Sequence, residues 1–182
     1  DSSFGSAVDR SLGSSAPRYE LTVTRLHLAQ ALLAVGDGPS LAEARRVATE
    51  VAEAEARIAP GEERSPHEVL PAFVLARVDL AEGNLADARR GFEEALALWQ
   101  RAGRGSSAAS GEAHLLLGET LLRLGERTAA EAELRAAYEL LFRRSGANHA
   151  DTLRAKARLD ELKSGPGTGR QPAAQLPPAG RR

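Results

Sequence analysis

The sequence contains no cysteine, and this absence removes several kinds of site from consideration. Without a thiol there is no disulfide framework, no thiolate nucleophile and no cysteine-based zinc site. No apolar run approaches the roughly 20 residues that a membrane-spanning helix needs. The formal net charge of −1 gives no electrostatic argument for binding nucleic acid or an anionic membrane. We therefore expect a cytoplasmic protein whose partners are neither nucleic acids nor membranes.

Aromatic residues are scarce, at four Phe, two Tyr and one Trp. Long runs of Val, Ile and Thr, which are typical of strands, are absent, whereas Ala and Leu dominate the middle of the chain. This composition favours closely packed helices and predicts an all-α fold.

Methionine is absent too, and the chain opens on Asp1. We interpret the sequence as a piece of a longer protein, with a processed chain as the alternative. Residues 1–16 are rich in Ser and Gly and are predicted to be a linker or the end of something upstream. Residues 164–182 form a tail rich in Gly, Pro and Arg that we predict to be disordered.

Residues 70–100 have the pattern of two amphipathic helices folded back on each other. Gly83 can adopt the left-handed conformation that ends a helix, and Asn84 is a suitable N-cap for the next one. A lone helical hairpin cannot bury its apolar faces, so it needs neighbours. The second helix carries one continuous apolar stripe, formed by Ala88, Phe92, Ala95, Leu96 and Trp99.

The same pattern occurs twice more along the chain. Gly36 and Gly125 correspond to the hinge at Gly83. A capping box, Ser40 with Glu43, predicts the start of one helix, and Pro71 leaves open whether another helix kinks or begins near Leu70. We predict three hairpins over about residues 19–59, 66–102 and 107–145, followed by a capping helix over residues 149–163.

Small residues recur at matching places in the three predicted hairpins. In the second helices these are Ala44, Ala88 and Ala130, and in the first helices they follow a leucine, as in the pairs Leu28–Ala29, Leu75–Ala76 and Leu117–Gly118. Small residues at a crossing allow two helix backbones to pack tightly. This pattern resembles the tetratricopeptide repeat (TPR), which implies a right-handed α-solenoid of three hairpins plus the capping helix.

The spacing of the repeats refines the resemblance. The matching alanines are 44 and 42 residues apart, longer than the 34 of the compact repeat. Residues 145–154, SGANHADTLR, are similar to the linking element of kinesin-light-chain-like repeats, with Ala150 in place of a proline. The resemblance implies the C-terminal regulatory segment of a larger bacterial signalling protein. The alternatives are the C-terminal part of a eukaryotic-like serine/threonine kinase without its catalytic domain, and a structural spacer that stacks on itself.

Catalytic and metal-binding chemistry finds little support in the sequence. The histidines at 27, 67, 114 and 149 show no recognised metal spacing, and we interpret them as structural. The abundant carboxylates alternate with Ala and Arg, which is typical of solvated helix surfaces. No nucleophile, base and orienting group can be assembled. We therefore predict no enzyme activity for this segment, no cofactor and no metal.

The remaining candidate is a binding surface. In stacked hairpins the first helices line a concave wall that binds extended peptides or partner helices. We expect a protein or peptide ligand in that groove, with stacking on a second copy or on upstream repeats as a further hypothesis. The alternative interpretation is that several of the predicted groove residues are simply core. By the resemblance, these predicted groove residues are Leu26, Gln30, Leu33, Phe73, Arg77, Leu80, Leu115, Glu119 and Leu122.

Overall fold

The computed structural model describes residues 16–57 and 70–164, and this part of the chain contains seven α-helices and no strand. The all-α prediction is confirmed. Residues 1–15 of the predicted linker over 1–16 lie outside the described residues, as does most of the predicted tail, whereas Ala16 is the first residue of a helix. The helices are α1 Ala16–Val35, α2 Gly38–Ala56, α3 Leu70–Glu82, α4 Leu85–Arg101, α5 Ala108–Arg123, α6 Arg127–Ser145 and α7 Ala150–Ser164.

Three pairs of helices fold back on each other at glycine hinges. Gly36, Gly83 and Gly125 have φ values of 75°, 85° and 82°, in the left-handed region that L side chains rarely adopt. Each glycine therefore ends the first helix of a hairpin and reverses the chain, as the sequence predicts. The hairpins are α1/α2, α3/α4 and α5/α6.

The start of α2 differs from its prediction. Asp37, and not Ser40, is the N-cap: an Asp37 carboxylate oxygen accepts a hydrogen bond from the Ser40 amide at 2.8 Å. Glu43 does not complete a capping box but accepts a hydrogen bond from Arg46 Nε at 2.9 Å. The reason is Pro39, which lies in the first turn, where its missing N–H leaves no hydrogen bond unmade.

The start of the last helix depends on a histidine. The His149 ring nitrogen Nδ1 accepts a hydrogen bond from the Asp151 amide at 3.3 Å, and the His149 carbonyl accepts one from Leu153 at 3.0 Å. His149 thus occupies the N-cap position of α7. This agrees with a structural role for His149.

The core consists of three clusters, each shared between a hairpin and the first helix that follows it. The first cluster joins α1 and α2 to Val74 and Val78 of α3. The middle cluster joins α3 and α4 to α5, and the last joins α5 and α6 to Ala155 and Leu159 of α7. Burying each large side chain contributes about 1.5–3 kcal/mol. Hydrophobic burial therefore holds consecutive hairpins together as well as each hairpin internally.

Aromatic rings fill the middle cluster. The Phe73 ring centroid lies 5.9 Å from that of Phe92 and 5.4 Å from that of Trp99, and all three side chains are buried. Trp99 shares this cluster with Leu116 and Leu117 of α5. It therefore packs between two hairpins.

Small residues allow the helices of a hairpin to approach closely. A Cβ atom added at Gly91 would lie 2.8 Å from Ala76 Cβ, and one added at Gly118 would lie 2.6 Å from Leu134 Cγ. The repeated alanines Ala44, Ala88 and Ala130 are fully buried. Larger side chains at these positions would collide with the neighbouring helix, because the two helices of each hairpin lie close together.

The odd-numbered helices form a continuous layer. Each helix contacts the next along the chain, and α1 also contacts α3, α3 contacts α5, and α5 contacts α7. Within residues 16–57 and 70–164, α2, α4 and α6 do not approach one another in this way. The odd helices are therefore closer together than the even helices.

None of the described helices is long and apolar enough to cross a membrane.

Three arginines connect helices by donating to main-chain carbonyls. The Arg123 guanidinium donates to the Leu80 carbonyl at 3.2 Å, and Arg127 donates to the Leu162 carbonyl at 3.2 Å. Both acceptors lie in the last turn of a helix, and the Leu80 carbonyl also accepts a hydrogen bond from the Gly83 amide at 3.2 Å. Arg144 donates in the same way to the loop carbonyl of Ser106 at 2.7 Å.

Candidate binding groove

Three of the predicted groove residues are core residues. Leu26 and Leu115 have no exposed surface, and Phe73 is 1% exposed. Their side chains belong to the three core clusters and offer no surface to a ligand. Their helical positions lie between the odd helices and their hairpin partners, and one periodic pattern cannot separate that direction from the exposed face.

The other six predicted groove residues are half-buried on the odd helices. Gln30 and Leu33 belong to α1, and Leu33 packs against the first core cluster. Arg77 lies over the Phe73 ring, 5.7 Å from its centroid, and pairs with Glu112 of α5 at 3.5 Å. The remaining three come together in one groove, described next.

An open groove of about 440 Å³ lies on the odd-helix layer, where α3, α5 and α7 meet. It contains the predicted residues Leu80, Glu119 and Leu122. Leu80 and Leu122 pack against the middle core cluster and give the groove an apolar surface. The three remaining lining residues are arginines that the sequence analysis did not select: Arg123, Arg154 and Arg158.

Glu119 organises the arginines from α7. Its carboxylate, 11% exposed, accepts hydrogen bonds from Arg154 Nε at 2.8 Å and from Arg158 Nε at 3.1 Å. Hydrogen bonds to Glu161 and then to Glu119 raise the pKa of the Arg158 guanidinium above its usual range. The lining contains three guanidinium groups, and among the lining residues only Glu119 carries a negative charge. The groove is electropositive.

A carboxylate lies beyond the groove on the same layer. Burial raises the pKa of the Glu112 carboxyl above its ordinary value, and the nearby charge of Arg77 opposes that shift only in part. Asp151 raises this pKa further, whereas Arg154 and His149 lower it. Glu112 is therefore a carboxylate in an unfavourable site, and the sequence pattern gives no indication of this.

The histidines are placed individually by the fold. His114 Nδ1 lies 2.6 Å from a Glu133 carboxylate oxygen, joining α5 to α6. His27 is exposed on α1, and this exposure gives no support to the structural role predicted for it. His67 lies outside the described residues. No group of three or more potential metal ligands occurs in the part of the chain that the structure describes.

A second groove, of about 480 Å³, lies where α2, α3 and α4 meet. Its acidic lining residues are Glu55, Asp79, Asp87 and Glu94, against two arginines, Arg45 and Arg90. Arg45 bridges Asp79 at 2.7 Å, which connects α2 to α3. This groove carries the opposite sign of charge from the first.

The arginines of the first groove leave only a weak signal in the sequence. Arg154 and Arg158 are four residues apart and hence on one face of α7. Their partner Glu119 is 35 and 39 residues away, and only the packing of α7 on α5 brings them together.

The chain matches no family model, no curated protein and no solved structure.

Proposed function

We propose that this segment is a non-enzymatic protein-interaction module that binds an acidic, extended peptide of a partner protein in the groove between α3, α5 and α7. The single observation that carries the proposal is the lining of this groove: three arginines around the apolar surface of Leu80 and Leu122. Guanidinium groups suit carboxylates because they donate paired hydrogen bonds in one plane. An apolar side chain of the peptide would contact the two leucines.

The arrangement of the helices supports the architecture on which this proposal depends. Hairpins that contact consecutively, with the first helices forming a layer, are compatible with the TPR-like solenoid that we propose. In such a solenoid the odd helices line the inner, concave surface, and the groove lies on that surface. By the same resemblance, we propose that the module regulates a larger bacterial signalling protein, with a serine/threonine kinase as one candidate parent.

The test uses two fluorescently labelled peptides and fluorescence anisotropy. One alternates Glu and Leu, and the other alternates Lys and Leu. We expect the wild-type chain to bind the acidic peptide more tightly, and we expect added salt to weaken that binding. The double variant Arg123→Gln/Arg154→Gln should lose about tenfold or more in affinity, since each charged hydrogen bond contributes about 1.5–3 kcal/mol.

The matched control removes two arginines elsewhere. Arg135 and Arg143 lie on α6, outside the groove. The variant Arg135→Gln/Arg143→Gln has the same net charge as the groove variant and should bind the acidic peptide as the wild type does. Equal losses in both variants would contradict the groove. Preference for the basic peptide would instead indicate the acidic groove between α2, α3 and α4.

A further inference from the structure

The first described helix exposes an apolar stripe. Leu21, Leu28 and Val35 are 53%, 50% and 65% exposed and lie seven residues apart, so they share one face of α1. Leu32 lies beside them and is half-buried. Arg25 is a charged residue beside the stripe. Large apolar side chains this exposed along one helix face usually mark a contact surface.

The later hairpins show what this face of an odd helix does. In the repeat, Leu28 corresponds to Leu75 of α3 and Leu117 of α5. Leu75 packs against the first core cluster, which the preceding hairpin supplies, and Leu117 is buried in the middle cluster against α4. The neighbouring position, exposed Ala31 in α1, is occupied by buried Val78 in α3. The stripe on α1 is therefore the face by which α3 and α5 pack on another hairpin.

The opposite end of the layer is different. The exposed surface of α7 carries charged side chains, including Lys156, which pairs with Asp160 at 3.0 Å, and Lys163. Among the described side chains of α7, Leu153 is the one large apolar group that is about half exposed. A second copy that placed its α1 stripe on this surface would have to desolvate these ion-paired side chains against apolar groups, which costs free energy. A head-to-tail assembly is therefore disfavoured, and a two-fold contact between equivalent faces is favoured.

We propose that the α1 stripe is a homodimer interface, in which two copies pack their α1 helices antiparallel about a two-fold axis at Leu28. Leu28 then contacts Leu28 of the second copy, and Leu21 contacts Val35 of the second copy, because both are seven residues from the axis. Arg25 lies opposite Ala31 of the second copy, three residues beyond the axis. Among the described side chains of α1, no like charges lie directly opposite each other, and the contact closes on itself as a dimer.

The absence of cysteine allows a direct test of this register. In the full 182-residue chain, the variant Leu28→Cys has a single thiol, which the proposed dimer places next to the same thiol of the second copy. Leu153→Cys on α7 is the matched control, because Leu153 is 51% exposed and Leu28 is 50% exposed. Under mild oxidation at about 100 μM protein, we expect Leu28→Cys to form covalent dimers about tenfold faster than the control or more. A Leu28→Cys chain that is no faster than Leu153→Cys overturns the proposal.

Two further variants test the antiparallel direction. Leu21→Cys alone should cross-link as slowly as the control, because its opposite position is Val35. A mixture of Leu21→Cys and Val35→Cys chains should form mixed dimers at a rate comparable to that of Leu28→Cys. Fast self-linking of Leu21→Cys would indicate a parallel contact and overturn the register.

Sedimentation equilibrium tests the dimer without cross-links. As the protein concentration increases, the average mass of the wild type should rise towards twice the mass of one chain. Leu28→Glu should stay monomeric at all concentrations, and Leu153→Glu should behave as the wild type does. Circular dichroism checks that the variants remain helical. A wild-type chain that stays monomeric at every concentration overturns the proposal. The stripe would then be left for another partner, such as residues 1–15 or another hairpin. A dimer that survives Leu28→Glu also overturns it.

Discussion

At the scale of single residues, the hairpins depend on the absence of a side chain at the helix crossings. Gly118 lies in α5, where alanine would normally stabilise the helix by about 1 kcal/mol. A Cβ atom there would lie 2.6 Å from Leu134 Cγ, and Leu134 is fully buried. We expect Gly118→Ala to lower the free energy of unfolding by about 1–3 kcal/mol, measured by urea denaturation.

Gly38 provides the control for this prediction. It lies in the first turn of α2, and a Cβ atom added there meets nothing within 4 Å. Gly38→Ala should therefore leave stability unchanged or raise it. If Gly118→Ala were as harmless as Gly38→Ala, the two helices of the α5/α6 hairpin would not be held as closely as the structure indicates.

Glu112 gives a prediction about pH. Because its folded-state pKa is raised above 4.5, chiefly by burial, its ionisation at neutral pH opposes folding. This cost decreases as the pH falls through the raised pKa, and it vanishes below the unfolded-state pKa. We expect Glu112→Gln to melt at a higher temperature than the wild type at pH 7, and the difference to disappear by about pH 4.

The control for Glu112 is an exposed carboxylate. Glu131, 44% exposed, pairs with Arg135 one turn away on the same helix. Glu131→Gln should not raise the melting temperature at pH 7. A lower melting temperature for Glu112→Gln at pH 7 would mean that its pairing with Arg77 outweighs the cost of burial.

At the scale of whole elements, α7 is attached to the preceding hairpin by both apolar and charged contacts. Ala155 and Leu159 belong to the last core cluster, and Glu119 accepts from Arg154 and Arg158. Glu119→Ala leaves both guanidinium groups without this partner. We expect hydrogen exchange of the α7 amides to become faster, while exchange in α2 stays as in the wild type.

A surface carboxylate serves as the comparison for Glu119. Glu93 is 48% exposed and pairs with Arg89 within α4. Glu93→Ala should leave α7 exchange unchanged, because exposed pairs within one helix contribute little. Identical exchange in wild type and Glu119→Ala would show that apolar packing alone holds α7.

Individual elements were predictable where the signal is local. The hinges at Gly36, Gly83 and Gly125 follow from the conformational freedom of glycine after an apolar stripe. The cap of α2 was not, because Asp37 and Ser40 are both good N-caps three residues apart. Pro39 decides between them, because a proline is tolerated in the first helical turn and Asp37 as the cap places it there. The prediction therefore needs the cap preference and the proline position together.

At the scale of the whole molecule, the groove was predictable only in part. Leu80 and Leu122 could be selected because the resemblance to tetratricopeptide repeats implies that they face the groove. The three arginines could not be selected, because the packing of α3, α5 and α7 determines which residues lie next to them. The resemblance implied that Leu26, Phe73 and Leu115 face the groove, with a core position as the alternative. The neighbouring helices decide which sides of a helix are covered, and they bury these three side chains.

The arginine-to-carbonyl bonds between helices bear on how this fold tolerates sequence change. The acceptors are main-chain oxygens at Leu80, Ser106 and Leu162, so any amino acid at these three positions still presents the same atom. Mutational drift at the acceptor positions therefore leaves these cross-links in place, whereas drift at Arg123, Arg127 or Arg144 removes them. A pair of charged side chains, by contrast, can be lost through a substitution on either side. Neighbouring repeats joined in this way can diverge in sequence and keep the same spacing.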